Sequence, residues 1–380
     1  MKFSGIINGG ASGWSQNDGP QHDIVISSRV RLARNIQKFP FPGWAKKADR
    51  VATLEKTKPA VEALPEMDDA FSENLQDLNV LEKQVLVERH LISREHAAKG
   101  VGSAVVMNRQ QTLSIMLNEE DHLRMQAIRS GFRLRDAFAL LDKADSALEK
   151  ALDFAYDPRL GYLTACPTNV GTGMRASAML HLPALVLKEE INKVIQAVNK
   201  IGLAVRGLYG EGTEAMGNLF QISNQTTLGQ KEEDIIGNLS KVVEKIISHE
   251  RNAREVLLEQ KPATLFDQIG RAYGILTNAH SMTGKEALNL LSLIRLGVDL
   301  GFFPTECLQA VDELCTEVQQ AHLQKAGAQK LGAEERDLLR ADVVREKLKR
   351  CPSPDLAKVK ARRAANENGS GESAADDAGK

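Results

Sequence analysis

Residues 23–35, D-I-V-I-S-S-R-V-R-L-A-R-N, constrain the fold more than any other part of this sequence. Two sets of residues alternate along the segment, and a period of two residues is typical of a β-strand. The alternation places Arg29 and Arg31 on the same face of that strand. Adjacent cations repel each other, so the pair needs either a solvated strand edge or a bound anion. Guanidinium groups match phosphate oxygens well, which makes a phosphate-binding pair the functional alternative.

The overall composition excludes several classes of protein. A chain of 380 residues exceeds the usual size of a single hydrophobic core, so two domains are expected. The net charge of -1 gives no overall field that would attract nucleic acid or a membrane surface. The four cysteines lie far apart and form no C-x-x-C pair, which fits a reducing compartment. Because no run of about 18 apolar residues occurs, we predict a cytoplasmic protein without membrane or nucleic-acid partners.

Residues 164–177, T-A-C-P-T-N-V-G-T-G-M-R-A-S, bring the thiol of Cys166 next to small polar side chains, two glycines and Arg175. Pro167 biases Cys166 away from helical backbone, and glycine permits backbone geometries that let a ligand come close. Taken alone, the stretch fits either a ligand-binding loop or a tight turn with a buried cysteine. The small and apolar residues after Arg175 indicate a buried element.

A second concentration of polar residues follows a predicted hairpin. Residues 100–117 read as two strands around a turn at Asn108, and N-E-E-D-H-L-R follows at residues 118–124. We expect a helix to begin there, with Arg124 in its first turns. Helix capping explains Asn118 and one carboxylate, but it does not explain the whole group.

A third polar stretch follows a short predicted strand at residues 203–208, which carries Arg206. Residues 209–218, Y-G-E-G-T-E-A-M-G-N, hold three glycines and two glutamates. Such a composition cannot form a core, so we predict a mobile loop.

Hydrophobic periodicity predicts helices over most of the remaining chain. They cover residues 45–78, 80–93, 133–153, 186–198, 231–259 and 263–349, the last interrupted at residues 283–284 and 301–304. The second of these segments either stays helical to its end or ends in a short strand at His90. Residues 219–225 are predicted to form a further strand. His90 lies near the end of the second helix, and a single histidine is usually structural. We place a domain boundary near residue 260. The polar, low-complexity residues after Ala364 predict disorder.

The sequence lacks the P-loop pattern G-x-x-x-x-G-K-[ST] and the H-R-D and D-F-G motifs of protein kinases. It offers instead five arginines in separate polar contexts, namely Arg29, Arg31, Arg124, Arg175 and Arg206. Several guanidinium groups together with Mg²⁺ can neutralise a triphosphate, because phosphoryl transfer depends mainly on positioning and charge stabilisation.

Four ordered strings, S-S-R-V-R-L-A-R-N, N-E-E-D-H-L-R, C-P-T-N-V-G-T-G-M-R-A-S and R-G-L-Y-G-E-G-T-E, resemble the ATP:guanido phosphotransferases, most of all the bacterial protein-arginine kinases. The resemblance implies an α+β fold, in which an antiparallel sheet flanked by helices precedes an all-α domain. The implied domains are an N-terminal segment (1–22), a catalytic domain (23–260), a helical domain for dimerisation and phosphoarginine binding (261–355) and a disordered tail (356–380).

The resemblance also implies an activity, the transfer of the γ-phosphate of Mg²⁺-bound ATP to a guanidinium nitrogen. It assigns catalysis to Glu120, Glu211 and Cys166. Two glutamates can clamp a guanidinium, align one nitrogen with the γ-phosphorus and accept its proton. The residues assigned to ATP are Ser27, Ser28, Arg29, Val30, Arg31, His90, Arg124, Arg175, Ala176, Ser177, Ala178, Met179, Arg206, Gly207, Leu208, Tyr209, Gly210 and Glu211, with Mg²⁺ held through the nucleotide.

In the small-molecule kinases of this family, a helical domain that encloses the substrate precedes the first motif. Only 22 residues precede it here, so the resemblance implies an open acceptor site that suits an arginine on a protein. R-D-L-L-R-A, near the end of the helical region, matches the motif by which such kinases bind phosphoarginine allosterically. Its residues are Arg336, Asp337, Leu338, Leu339, Arg340 and Ala341. The two arginines lie four residues apart and therefore share one helical face.

The resemblance further implies a homodimer, an activator of the McsA type and the marking of proteins for a Clp chaperone-protease. Two rival hypotheses remain open at this point. One is a small-molecule guanidino kinase that acts on free arginine. The other is a catalytically weak adaptor that only binds phosphoarginine.

Overall fold

The structure, a computed structural model, describes Phe3, Ile6 and residues 18–207, 215–327 and 330–357. The chain divides into two compact units, Met1–Glu250 with Gln324–Lys330, and Arg251–Leu323 with Leu331–Lys380. The domain boundaries predicted from the sequence stay predictions. Most of the predicted N-terminal segment and tail lies outside the described residues.

The first unit is built on an antiparallel sheet. Its strands are β1 (Val25–Arg34), β2 (Phe71–Asn74), β3 (Ala104–Met107), β4 (Leu113–Leu117), β5 (Leu123–Ser130), β8 (Met174–His181), β9 (Leu203–Gly207) and β10 (Leu219–Asn224), while β6 (Tyr156–Asp157) and β7 (Gly161–Tyr162) form a separate ribbon. The spatial order is β2-β3-β4-β5-β1-β8-β10-β9, and each neighbouring pair is antiparallel. The predicted hairpin around Asn108 is confirmed as β3 and β4.

Helices flank this sheet. They are α1 (Lys47–Glu62), α2 (Val80–Glu88), α3 (Arg94–Ala97), α4 (Leu134–Ala151), α5 (Pro183–Leu187), α6 (Ile191–Lys200) and most of α7 (Glu232–Gln260). The helix predicted over residues 133–153 is confirmed as α4. Leu141, Ala144 and Leu148 are buried at spacings of three and four residues, so one apolar stripe faces the sheet.

The central strand β1 lies between β5 and β8. Its even-numbered residues point to one side, where Val30 and Leu32 are buried. Helix α4 covers that side, since Arg34 Nη2 lies 2.6 Å from Asp145 Oδ2 on the helix. The alternation predicted for β1 is confirmed, and its odd-numbered residues, which include both arginines of the pair, face away from α4.

Three predictions of secondary structure are wrong. Arg124 lies on strand β5 and not on a helix, because β5 pairs along both edges, with β1 and with β4. Residues 71–74 were predicted to be helical but form β2, which pairs with β3. The single helix predicted over residues 186–198 is divided into α5 and α6 by a turn at Glu189, whose φ is 60°.

The regular elements described in the second unit are helices, which confirms the predicted fold class. They are α8 (Pro262–Asn278), α9 (Gly284–Asp299), α10 (Cys307–Glu317), α11 (Gln320–Ala326, which continues into the first unit) and α12 (Ala333–Leu348). The predicted interruptions are confirmed: Thr283 Oγ1 accepts a hydrogen bond from Glu286 N at 3.2 Å and caps α9, and Gly301 has a φ of 85° after it. Among the described residues, no helix combines the length and apolar composition needed to cross a bilayer.

Candidate active site

The register of the central strands gathers arginines on one face of the sheet. Arg31 of β1 lies opposite Gln126 of β5 and Arg175 of β8. Residues paired across an antiparallel ladder point to the same side, and so do residues two apart on one strand. Arg29 and Arg124 therefore share the side of Arg31, which is the side opposite to α4.

Arg206 reaches the same face from the edge of the sheet. It pairs with Gln221 of β10, which in turn pairs with Met179 of β8. Met179 lies four residues from Arg175 on β8 and therefore points the same way. All five arginines predicted from the sequence consequently lie on one face.

A cleft of about 640 Å³ opens over this face. Its lining includes Arg31, Arg124, Arg175 and Arg206 together with Glu120, Asp121, Cys166, Thr168 and Asn169. Arg29 is joined to this face by a hydrogen bond from its Nη2 to Gln221 Oε1 at 2.7 Å. The structure thus brings four of the five arginines together with two of the three predicted catalytic residues. The third, Glu211, lies outside the described residues, as do Leu208, Tyr209 and Gly210.

The clustered guanidinium groups repel one another. Burial and the nearby Arg124 lower the pKa of Arg29 to about 10. Burial, Arg29, Arg124 and Arg175 lower the pKa of Arg31 well below its ordinary value. Burial and Arg206 likewise lower the pKa of Arg175. Within the described part of the chain, no protein group forms a hydrogen bond or ion pair with the guanidinium of Arg31, Arg175 or Arg206. Such a surface suits a polyanion, whose charge would remove the repulsion.

Glu119 fixes Arg124, although it was not among the site residues predicted from the sequence. Its buried carboxylate accepts hydrogen bonds from Arg124 Nη1 at 2.7 Å and from Ser93 Oγ at 2.5 Å. Burial by itself would raise the pKa of Glu119, but the ion pair and hydrogen bonds lower it below its ordinary value. The carboxylate therefore stays charged and holds Arg124 in place. Its only sequence signal was its position in the N-E-E-D string.

The turn between β4 and β5 presents Glu120 to the cleft. Next to it, the buried Asp121 Oδ1 accepts hydrogen bonds from Asn35 Nδ2 and from Ala165 N, both at 2.6 Å. Asp121 thus ties the acidic turn to β1 and to the loop of Cys166. Burial, Asp121 and Glu119 raise the pKa of Glu120, which increases the affinity of this carboxylate for a proton.

The loop that carries Cys166 is bound by Thr227 as well as by Asp121. Thr227 Oγ1 donates to Val170 O at 2.7 Å and approaches Thr168 O at 3.0 Å. Cys166 is only half-buried, and its Sγ lies 3.0 Å from Thr168 Oγ1. The alternative of a tight turn with a buried cysteine is therefore wrong, because the thiol faces the cleft.

Glycine is required where this loop passes β1. Gly173 has a φ of 65°, and a Cβ at this position would lie 2.6 Å from Ala33 O. Any other residue would be strained and would push the loop away from the strand. The prediction that this string needs glycine for its backbone geometry is confirmed at Gly173, and the close approach of a ligand stays a prediction.

His90 lies beside the arginine cluster. Its carbonyl oxygen accepts a hydrogen bond from Gln126 Nε2 at 2.6 Å, and its φ is 59°. Burial and Arg29 lower the pKa of His90 to about 4. The imidazole is therefore neutral at pH 7 and does not add to the positive charge of the cluster, and its part in ATP binding stays a prediction.

The remaining residues predicted to bind ATP divide between the two faces. Ser27, Ser177 and Met179 lie on the arginine face, and Gly207 ends β9. The side chains of Ser28, Val30, Ala176 and Ala178 point to the α4 face instead, by the same alternation. Ser28 Oγ, for example, donates to Gly131 O at 2.8 Å. The part of these four residues in ATP binding stays a prediction.

The R-D-L-L-R-A motif lies on α12 in the second unit. Arg340 is buried: its Nε donates to Val318 O at 2.9 Å, and its Nη1 donates to Met282 O at 2.7 Å and forms an ion pair with Asp337. Arg336 Nη1 donates to Leu331 O at 2.9 Å, Leu338 is exposed, Leu339 is half-buried and Ala341 is buried. Arg340 therefore supports the packing of the helices around it, and phosphoarginine binding by the motif stays a prediction.

Comparison with protein families agrees with this geometry. The family described as ATP:guanido phosphotransferase, C-terminal catalytic domain, matches residues 53–253. The protein-arginine kinase McsB C-terminal domain matches residues 262–359. The chain belongs to the ATP:guanido phosphotransferase family, which confirms the resemblance seen in the sequence. As a member of that family, it is a phosphotransferase that uses ATP.

Relatives that match nearly the whole chain show to which group of kinases within the family it belongs. A protein-arginine kinase from Halothermothrix orenii is 45% identical over 92% of this chain and 99% of its own length. One from Moorella thermoacetica is 49% identical over 89% of this chain and 97% of its own. Within the family, the chain therefore groups with the protein-arginine kinases.

The fold also resembles a solved guanidino kinase. A structure of the duplicated taurocyamine kinase from Schistosoma mansoni, with bound transition state analog components, matches with a TM-score of 0.55 and 29% sequence identity. The match covers 60% of this chain and 33% of the taurocyamine kinase.

Proposed function

We propose that the chain transfers the γ-phosphate of ATP to arginine side chains of proteins and so forms N-phosphoarginine. The observation that supports this best is the division of charge in the cleft, where several arginines lie beside Glu120, Asp121 and the thiol of Cys166. The arginines provide a site for a triphosphate, and the acidic turn provides a site for a cationic acceptor.

On the nucleotide side, the arginines are proposed to hold the phosphates. Arg124 is prepared for this role because Glu119 fixes its guanidinium. Fixed cations stabilise the charge that spreads over the γ-phosphate oxygens during transfer, without having to reorient at that moment. We propose that Mg²⁺ arrives bound to the nucleotide and adds positive charge at the β- and γ-phosphates.

On the acceptor side, Glu120 is proposed to bind the guanidinium and to act as the general base. Its raised pKa makes it a stronger base than an ordinary glutamate. As a guanidinium nitrogen forms its bond to the γ-phosphorus, the bond from that phosphorus to the bridging oxygen breaks, and ADP leaves with the electron pair. Glu120 receives the proton lost by the nitrogen. Cys166, on the same cleft, would orient the guanidinium, and Glu211 is proposed as the second clamp.

The family relationship supports further parts of the proposal. They are a cytoplasmic location, a homodimer, an activator of the McsA type, and recognition of phosphoarginine-marked proteins by a Clp chaperone-protease. The motif Arg336–Ala341 is proposed to bind phosphoarginine, with Arg336 as the more accessible of its two arginines.

The test incubates the purified chain with Mg²⁺-ATP and an arginine-rich protein, and then treats the product with acid. We expect protein-bound phosphate that acid removes, because the P–N bond is acid-labile. Glu120→Gln should reduce transfer by at least 100-fold, on the order of what a positioned base contributes. Glu55→Gln, which changes an exposed carboxylate on α1, serves as the matched control. Phosphate on free L-arginine alone would show that the acceptor is a small molecule, and acid-stable phosphate would contradict the proposal.

A further inference from the structure

Trp44 stands out on the surface of the first unit. Its side chain is 91% exposed, yet its backbone is ordered by hydrogen bonds from Trp44 N and Ala45 N to Phe41 O, at 2.8 and 3.0 Å. A tryptophan held out by a fixed turn presents a large apolar face at little entropic cost to a binding partner. None of the residues that line the nucleotide cleft belongs to this turn.

The turn at residues 39–44 is attached to the turn that carries Glu120. His122, two residues after Glu120, accepts a hydrogen bond from Ile36 N at its Nδ1 (2.9 Å) and donates from Nε2 to Pro40 O (3.0 Å). The ring of Phe41 packs edge-on against His122 at 6.0 Å between centroids. The aromatic turn is therefore linked, through the side chain of His122, to the turn that carries Glu120.

A protein acceptor is large enough to cover the surface next to Glu120 as well as the site of its arginine. A stable protein interface covers roughly 800 Å² on each partner, which is far more than a single arginine side chain occupies. When an arginine reaches Glu120, the chain on either side of it must lie over the neighbouring surface. The turn at residues 39–44 is the part of that surface joined to the acidic turn through His122.

The charges around the tryptophan restrict what can bind. Lys38, Lys46 and Lys47 are exposed on the same turn or directly beside it. Their ammonium groups repel lysine or arginine neighbours of the acceptor arginine, while the indole attracts apolar side chains. The pattern favours one class of acceptor sequence over another.

We infer that the turn at residues 39–44 is a docking surface for the protein acceptor, and that Trp44 selects arginines with apolar neighbours over arginines with basic neighbours. The inference rests on the proposed function, since it names the acceptors of that same site. It makes Trp44 a residue that determines specificity without touching the reacting atoms.

The test compares three acceptors under Mg²⁺-ATP: a peptide with leucine and phenylalanine beside one arginine, the same peptide with lysines there, and N-acetyl-argininamide. Wild type should favour the apolar peptide over the lysine peptide by about tenfold or more in kcat/KM. Trp44→Ala should reduce this ratio to within twofold by raising KM for the apolar peptide, whereas N-acetyl-argininamide, which has no flanking residues, should change less than twofold. Trp44→Phe should restore most of the preference. Val80→Ala, at an exposed apolar residue on α2, should leave the preference as in wild type.

An unchanged preference in Trp44→Ala, or an equal loss for all three acceptors, would overturn the inference. A change in oligomeric state of Trp44→Ala in gel filtration, without a selective loss, would assign the surface to a second copy of the chain and overturn it as well. Binding is also read without turnover, from the fluorescence that the apolar peptide quenches in wild type but not in Trp44→Phe. Failure of wild type to phosphorylate any acceptor therefore refutes the proposed function, while the quenching still decides whether Trp44 docks the peptide.

Discussion

Replacing Arg29 with methionine should stabilise the folded chain and weaken ATP binding. Burial and Arg124 lower the pKa of Arg29 from its ordinary value to about 10, and a lowering of this size corresponds to about 3 kcal/mol that folding loses at pH 7. Because the folded pKa lies below the unfolded one, the loss is complete below about pH 10 and is relieved only as the pH rises from there towards the ordinary pKa of arginine. Methionine removes the charge and keeps an apolar stem of similar length, but it also removes the hydrogen bond to Gln221, worth about 1 kcal/mol. The free energy of unfolding should therefore rise by about 1–2 kcal/mol.

Urea denaturation at pH 7 measures the stability, and isothermal calorimetry measures ATP binding. A lost charge-assisted contact costs about 1.5–3 kcal/mol, so the dissociation constant for ATP should rise roughly 10- to 100-fold. Arg129→Met is the matched control, because Arg129 lies on β5 opposite Ser28 and therefore on the α4 face of the sheet. It should leave ATP affinity unchanged. An Arg29→Met chain that is less stable than wild type and binds ATP within twofold of it would refute the reasoning.

Three further predictions concern the framework of the two units. Gly173→Ala should lower the free energy of unfolding, measured by urea denaturation, by about 2–3 kcal/mol. The φ of 65° is unfavourable for alanine, and the new Cβ meets a backbone oxygen at 2.6 Å. The control Gly43→Ala, with no atom within 4 Å of its Cβ, should change the free energy of unfolding by less than 1 kcal/mol. His90 is held neutral with a pKa of about 4, so part of the stability is lost as the pH falls from 6.5 to 4. In His90→Asn, where asparagine tolerates the positive φ, the melting temperatures at pH 7 and pH 4.5 should differ less than in wild type. A difference equal to that of wild type would contradict this prediction. Arg340→Ala should leave two buried carbonyl oxygens without their donor. It should lower the free energy of unfolding of the second unit by about 2–4 kcal/mol, and with it the melting temperature measured by calorimetry. An unchanged melting temperature would show that Arg340 does not support the packing.

Periodic patterns were enough to predict many of the elements. The two-residue alternation of β1 identified the strand and placed Arg29 and Arg31 on one face, and the three- and four-residue spacing of α4 identified a helix. Both patterns are local consequences of backbone geometry, so they can be read without knowing any neighbour. The prediction for Arg124 failed because β5 is made a strand by its two partners, whose positions the local pattern does not contain.

In the site, too, local sequence patterns predicted some features and missed those that depend on contacts between distant residues. The residue types that line the cleft were predicted from the sequence, partly by a family resemblance, but the partner of each was not. Glu119 holds Arg124 through an ion pair across a turn, and Arg340 turns inward to backbone carbonyl groups. The sequence predicted that Arg336 and Arg340 share one helical face, but it did not indicate that Arg340 is buried while Arg336 is only half-buried.

By itself, the sequence determined the chemistry that is available: guanidinium groups on strands, carboxylates at a turn and a thiol in a glycine-containing loop. The tertiary structure alone decided that these groups meet, because the order and register of strands far apart in the chain bring Arg31, Arg175 and Arg206 to one side of the sheet. The physical reason is that alternation along a strand is set by the residues of that strand, whereas the choice of neighbouring strands depends on long-range pairing and on burial of the opposite face against α4.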